Sequence, residues 1–143
     1  MKLIRRDDYL TRLQDVQGTP DIKILSGMRR AGKSKLLEET AKRIRKAHPR
    51  ANVLYADLTL LKNEKLKDYH ELHKWVKANA KRGSRNYVMI DEVQMCPNCE
   101  LVVNSLHGEG KGRFDIYLTG SNAFLLSSDL ATLFGGRVFE IPI

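Results

Sequence analysis

A five-stranded, mainly parallel α/β sheet covered by helices on both faces, a three-layer αβα arrangement, is the fold this sequence predicts. Three observations predict it. Strand-like and helix-like patterns alternate along the whole chain. The segment GMRRAGKS, Gly27 to Ser34, lies between the run Ile22-Lys23-Ile24-Leu25 and a helical pattern. Tyr87-Val88-Met89-Ile90 is apolar on both strand faces, as a central strand of a parallel sheet requires.

Each element follows from local pattern. Tyr9, Leu10, Leu13 and Val16 recur at helical spacing, which predicts a helix over 6–16, broken by Gln17-Gly18-Thr19-Pro20. Residues 21–26 form the first strand. A helix over 33–48 carries Leu37, Ala41 and Ile44 on its inner side and stops at Pro49. Residues 52–58 form the second strand. A long helix over 65–82 is expected, with Leu66, Tyr69, Leu72, Val76 and Ala80 inward and Gly83-Ser84 closing it. The third strand is 87–90, followed by Asp91-Glu92 and a helix over 101–106. The fourth strand is 114–119. A helix over 123–134 ends at Gly135-Gly136, and 138–141 is the fifth strand. No internal repeat or low-complexity linker interrupts the pattern.

Composition bounds the function. The 143 residues suit one domain over 1–143 with a sizeable core. The chain reads as a core domain cut from a longer protein. No apolar run approaches the roughly 18 residues needed to span a bilayer. The start, MKLIRRDDYL, lacks a signal-peptide apolar segment, and two cysteines make no disulfide framework. A cytoplasmic, reduced protein with no membrane partner is the expectation. The net charge of +8 has much of its excess in 33–50 and 62–85. It is read as two solvated helix faces plus charge for a polyphosphate ligand, because no nucleic-acid motif accompanies it. DNA stays open as a partner.

The chemistry centres on GMRRAGKS. Its glycines let successive N–H groups converge on phosphate oxygens, and the next helix aims its positive dipole end at the anion. The nucleotide-binding candidates are Gly27, Met28, Arg29, Arg30, Ala31, Gly32, Lys33, Ser34 and Lys35. Lys33 reaches the β- and γ-phosphates, and Ser34 supplies a hydroxyl to Mg²⁺. Ligands of parallel sheets bind at the carboxyl ends of the strands. Asp91 is therefore placed to hold Mg²⁺, and Glu92 to polarise an attacking water. Thr119-Gly120-Ser121-Asn122 ends the fourth strand at the same edge. Ser121 and Asn122 are both candidates to contact the γ-phosphate or the water, or to cap a helix. Arg137 can reach a neighbouring subunit's site as an arginine finger, or serve as a surface residue after Gly135-Gly136. Arg5 and Arg6 are placed near the adenine pocket. Cys96 and Cys99, with His70 and His73, count as four possible zinc ligands, but nothing in the spacing brings the pairs together.

The segments GMRRAGKS, YVMIDEVQ, IYLTGSNAFLLSSDLATLFGGR and FEIPI resemble the AAA-type ATPase domain of a large prokaryotic family, usually followed by a domain called DUF4143. The resemblance covers essentially the whole chain. It implies a P-loop fold with strand order 5-1-4-3-2. It implies ATP and Mg²⁺ as ligands at Gly27 to Ser34, Asp91 and Glu92, with a sensor within Ser121-Asn122. Arg137 matches the Gly-Arg closing the family's core, where a finger role implies self-association. A C-terminal lid and further domain would normally complete the pocket and address a client protein that the sequence does not identify.

A Mg²⁺-dependent ATPase acting as a nucleotide-driven switch is therefore the leading expectation, with Lys33, Glu92, Asn122 and Arg137 as its catalytic residues. A nucleoside kinase of thymidine-kinase type shares a similar P-loop, an Asp-Glu pair and a Cys pair. It would also need a second Cys pair and a nucleoside-binding lasso, neither of which is present. A weakly hydrolysing, ATP-dependent DNA-binding module is the third reading.

Overall fold

The computed structural model describes residues 6–27, 32–109, 113–121, 134 and 138–143, without the side chains of Arg6 and Asp7. In chain order the elements are α1 (Arg6–Val16), β1 (Ile22–Gly27), α2 (Lys33–Ala47), β2 (Asn52–Asp57), a 3-10 helix (Leu61–Lys67), α3 (Tyr69–Asn79), β3 (Asn86–Asp91), a 3-10 turn (Val93–Met95), α4 (Cys99–Gly108), β4 (Phe114–Ser121) and β5 (Val138–Pro142). The five strands form one sheet in the order β2-β3-β4-β1-β5, every pairing parallel. This is the expected order 5-1-4-3-2 read from the other edge. The helix expected over 123–134 lies outside the described residues except for Phe134, which is buried in the core.

Strand side chains alternate between the two faces, so one apolar core sits on each side of the sheet. Ile22, Ile24, Val88, Ile90, Ile116 and Leu118 point to one face and pack with Leu72 and Val76 of α3 and Val102, Val103 and Leu106 of α4. Leu25, Tyr87, Met89, Tyr117 and Ile141 point to the other, against Leu10 and Leu13 of α1 and Leu37, Ala41 and Ile44 of α2. The central strands β1, β3 and β4 are buried almost throughout, whereas the edge strand β2 is only partly buried and the edge strand β5 has exposed positions. Pro142 falls on edge strand β5, where a missing N–H costs no ladder bond.

The single long helix expected over 65–82 is corrected to two elements. Asp68 is extended (φ −84°, ψ 123°), and its Oδ1 accepts from His70 N at 2.9 Å and Glu71 N at 3.2 Å. A carboxylate capping two orphan amides starts a new helix there. Leu66, Leu72 and Val76 are nonetheless buried and Tyr69 partly so, because the 3-10 helix preserves the inward face. The helix after β3 begins at Cys99, earlier than expected, with Asn98 before it at positive φ (66°).

Candidate functional site

The carboxyl ends of β3, β4 and β1, neighbours in the sheet, carry the site. Register sets it: Gly27 ending β1 lies beside Ser121 ending β4, while Ile90 of β3 pairs with Leu118 of β4. One step further along, Asp91 and Thr119 meet side by side. Asp57, ending β2, pairs directly with Asp91.

Residues 28–31, within which Met28, Arg29, Arg30 and Ala31 were expected to contact phosphate, lie outside the described residues. The loop's two flanks are described. Gly27 has no room for a side chain, since a Cβ there would sit 2.9 Å from the backbone oxygen of Ile143. Gly32 takes φ +93° as it enters α2, the left-handed region that glycine adopts without strain. It has no side chain to cap the helix, so the first-turn N–H groups of α2 have no side-chain acceptor from that position. Lys33 is buried, and its Nζ donates to Gly27 O at 2.8 Å, folding the ammonium back across the loop. Ser34 is half-buried, and its hydroxyl lies near enough to Asp91 to favour the carboxylate. Lys35 is exposed.

Asp91 is 1% exposed. The Thr119 hydroxyl donates to its Oδ1. Burial raises its carboxyl above the ordinary value of 3.8; the Thr119 and Ser34 hydroxyls pull it back, and the Asp57 and Glu92 carboxylates push it up further. Two dipoles thus face a buried carboxylate that two like charges crowd. The group that fits such a place is a hard cation, which an oxygen donor set of carboxylate and hydroxyl would hold.

Glu92 has φ 62° and ψ 60°, a left-handed conformation uncommon for a residue with a side chain. Its N–H donates to Thr119 Oγ1 at 2.8 Å. Thr119 therefore ties Asp91 and Glu92 to the end of β4 with one hydroxyl. The strained backbone lets Asp91 stay in the strand while Glu92 turns out of it. Gln94 Nε2 donates to Glu92 Oε2 at 3.0 Å, and Gln94 Oε1 is buried without a hydrogen-bond partner. The Tyr55 hydroxyl is likewise buried and unpartnered. Its ionisation is pushed up by burial first and then by the Asp91, Glu38 and Asp57 carboxylates, so it stays neutral.

The structure thus brings Gly27, Lys33, Ser34, Asp91, Glu92 and Ser121 to one rim. Asn122, Arg137 and Arg5 lie outside the described residues, as does the side chain of Arg6. Thr119 and Gln94 were not singled out by sequence reasoning. Thr119 carried a signal, being the last polar residue of an apolar strand beside the Asp-Glu pair, but the neighbouring Ser121-Asn122 drew the assignment. Cys96 and Cys99 are both buried, and their thiols interact with each other. That contact lowers the Cys96 thiol and, with burial, raises that of Cys99. His73 Nε2 lies 3.4 Å from Ser105 Oγ. Among the described residues no three metal-ligating side chains cluster, and no helix is long and apolar enough to cross a membrane.

A family described as "AAA domain" matches residues 19–143. A Haemophilus influenzae protein described as "Uncharacterized protein" is 34% identical over 143 residues, 99% of this chain and 35% of its own length. The chain spans about a third of the length of the curated relatives it matches. Among solved structures, Aeropyrum pernix ORC1 in complex with DNA superposes with a TM-score of 0.67 at 11% identity, covering 99% of this chain and 45% of that one. AMPPCP-bound DnaA from Aquifex aeolicus superposes with a TM-score of 0.58 at 14% identity, covering 95% and 44%. At these identities the structural likenesses show the fold.

Proposed function

Taking as premise that the chain belongs to the AAA domain family, we propose that it is a Mg²⁺-dependent ATP-binding and ATP-hydrolysing core that works as a nucleotide-driven switch. The observation that carries the reading is that the Ser34 hydroxyl, at the start of α2, lies near enough to Asp91, at the end of β3, to lower its carboxyl, with Glu92 next in the chain. It joins a phosphate-type loop to an acidic pair on one rim, where a triphosphate and its cation belong together.

In this reading the amides of Gly27 to Lys35, including Met28, Arg29, Arg30 and Ala31, wrap the phosphates. Lys33 exchanges Gly27 O for phosphate oxygens, a charge-assisted bond for a neutral one. Ser34 and Asp91 would hold Mg²⁺, which supplies charge neutralisation on the phosphates. Glu92 orients the attacking water, with Gln94 and Thr119 fixing its carboxylate and backbone. Asn122 senses the γ-phosphate and Arg137 acts as a finger in self-association. Residues 1–143 are the ATPase core of a longer cytoplasmic protein whose lid and C-terminal domain complete the pocket and carry the output to a client. Nucleotide appears in the name of the DnaA neighbour as AMPPCP, which accords with ATP as ligand. The ORC1 neighbour's DNA does not transfer to this chain at 11% identity. Phosphate release without an acceptor separates this reading from a nucleoside kinase.

The test is ATP binding and turnover by wild type, Lys33→Ala and Glu92→Gln. Losing a charge-assisted bond of about 1.5–3 kcal/mol weakens binding by Lys33→Ala roughly 10- to 150-fold. Glu92→Gln keeps its nucleotide affinity and loses about 10²- to 10⁴-fold in turnover. Equal affinity in wild type and Lys33→Ala would remove the phosphate role.

A further inference from the structure

The rim opposite the candidate nucleotide site carries a second concentration of cationic chemistry. The C-terminal ends of the two basic stretches of the sequence converge there. α2 ends at Ala47 and delivers His48 and Arg50. The turn before β3 delivers Gly83, Ser84 and Arg85. Because β2 and β3 are parallel neighbours, with Asn52 beside Asn86, their entry segments lie side by side. Asn52 N donates to Arg85 O at 3.0 Å and locks the two together.

Two hollows meet at this place. One, of about 410 Å³, is lined by His48, Arg50, Arg85 and Tyr87 among others. The other, of about 440 Å³, runs between α1 and α2 and is lined by Arg43. They share Gln17 and His48. No carboxylate is among the described residues lining either hollow. The nearby Asp115 is buried, and Lys23 Nζ meets its Oδ1 at 2.6 Å, so its charge is matched internally. Gln17 Nε2 donates to Tyr87 Oη at 3.3 Å across the floor. Arg43, His48, Arg50 and Arg85 are exposed, as are the flanking Arg45, Lys46, Lys81 and Arg82.

We propose that this double hollow, on the rim away from Lys33 and Asp91, binds the phosphodiester backbone of a nucleic acid. The cations come from α2, from the segment before β2 and from the turn before β3, and they extend along two joined hollows. A repeating polyanion engages such a row; a single phosphate engages one guanidinium. The net charge of +8 favours such a partner over an acidic metabolite at any one point. The six residues of β1, rising about 3.3 Å each, put roughly 20 Å between the rims. The two anion sites therefore use separate residues, and this proposal stands or falls independently of the ATPase reading.

The test is fluorescence anisotropy of a labelled single-stranded DNA oligonucleotide with the purified chain across a salt series. Arg50→Gln/Arg85→Gln is expected to lower affinity at least about tenfold and to flatten the log–log salt slope by about 1.4, roughly 0.7 for each lost phosphate contact. The Arg85 guanidinium packs against Gly18, filling the space a Cβ there would need, so Arg43→Gln/Arg50→Gln, which leaves that turn alone, serves as the second variant with the same expected slope. Lys33→Ala is expected to bind the oligonucleotide as wild type does. Three results overturn the proposal: no binding by wild type, an unchanged slope in both double variants, or displacement by inorganic tripolyphosphate as effective as unlabelled oligonucleotide at equal phosphate. The last outcome would assign the hollow to a small polyphosphate.

Discussion

Asp91 shows how a site residue can work against the fold that holds it. Its carboxyl is buried and its proton affinity is raised, by desolvation before any other cause. In the pH window between the ordinary carboxylate value of 3.8 and that raised value, the folded chain binds more protons than the unfolded one. Stability from this group is therefore complete below the window and is lost as pH rises through it. Asp91→Asn removes the charge while its amide oxygen can still accept from Thr119 and Ser34. The nucleotide-free variant is expected to melt a few degrees above wild type at neutral pH, the size about 1 kcal/mol produces in a chain this long. The difference should vanish below the window. Thermal melts of both proteins across pH check this, and a variant no more stable than wild type at neutral pH would refute the uncompensated-charge account. Much of the candidate site is legible in the residues. Gly27, Lys33, Ser34, Asp91 and Glu92 were marked because phosphate and cation chemistry demands those types after apolar strands. Thr119 and Gln94 were not marked. Their roles depend on which hydroxyl and which amide stand opposite across the sheet edge, and spacing along the chain does not encode that.

Asp68 decides the architecture between β2 and β3 at the scale of elements. Its carboxylate accepts two N–H groups of α3, and its own N–H donates to Lys65 O at 3.2 Å, so one residue ends the 3-10 helix and begins α3. Asp68→Ala leaves both amides to water and is expected to cost about 1 kcal/mol. Asp68→Asn, which keeps a capping oxygen, should cost much less. Urea unfolding of the two variants measures it, and equal midpoints would show that the cap adds nothing. The strands were readable, because apolar runs bounded by turn residues leave little choice. The interruption at Asp68 was harder to see. Leu66, Leu72 and Val76 keep an inward face on both sides of it, and periodicity registers the face before the break. The strand order came from family resemblance. Adjacency such as β1 beside β4 pairs residues nearly a hundred positions apart, which no local pattern reports.

Across the whole molecule, the two rims of the sheet are built on different chemistry. The carboxyl rim gathers the ionisable groups of Lys33, Asp91 and Glu92 around the strand ends. The opposite rim closes its buried charges into a complete set. Lys23, fully buried on β1, donates to Asp115 Oδ1 at 2.6 Å and to Thr19 O at 2.8 Å. Asp115 Oδ2 accepts from Gly18 N and from Tyr117 Oη, each at 2.9 Å. Burial first, then Asp115, raises the Tyr117 hydroxyl, which keeps it a neutral donor. The network pins the turn after α1 to β4 and so fixes α1 against the sheet. Desolvating two ions costs several kcal/mol, and their attraction offsets this only while both are present. Asp115→Ala strands the Lys23 ammonium and two donors in the interior, so a loss of about 3–5 kcal/mol is expected. Lys23→Met/Asp115→Leu removes both charges and should recover most of that loss. Urea denaturation with a common m-value makes the comparison. A double variant as unstable as Asp115→Ala would mean that the hydrogen bonds from Gly18 and Tyr117, rather than the ion pair, hold this rim. A single variant within about 1 kcal/mol of wild type would mean that Lys23 finds water when its partner is gone, and that the rim opens more readily than its burial implies.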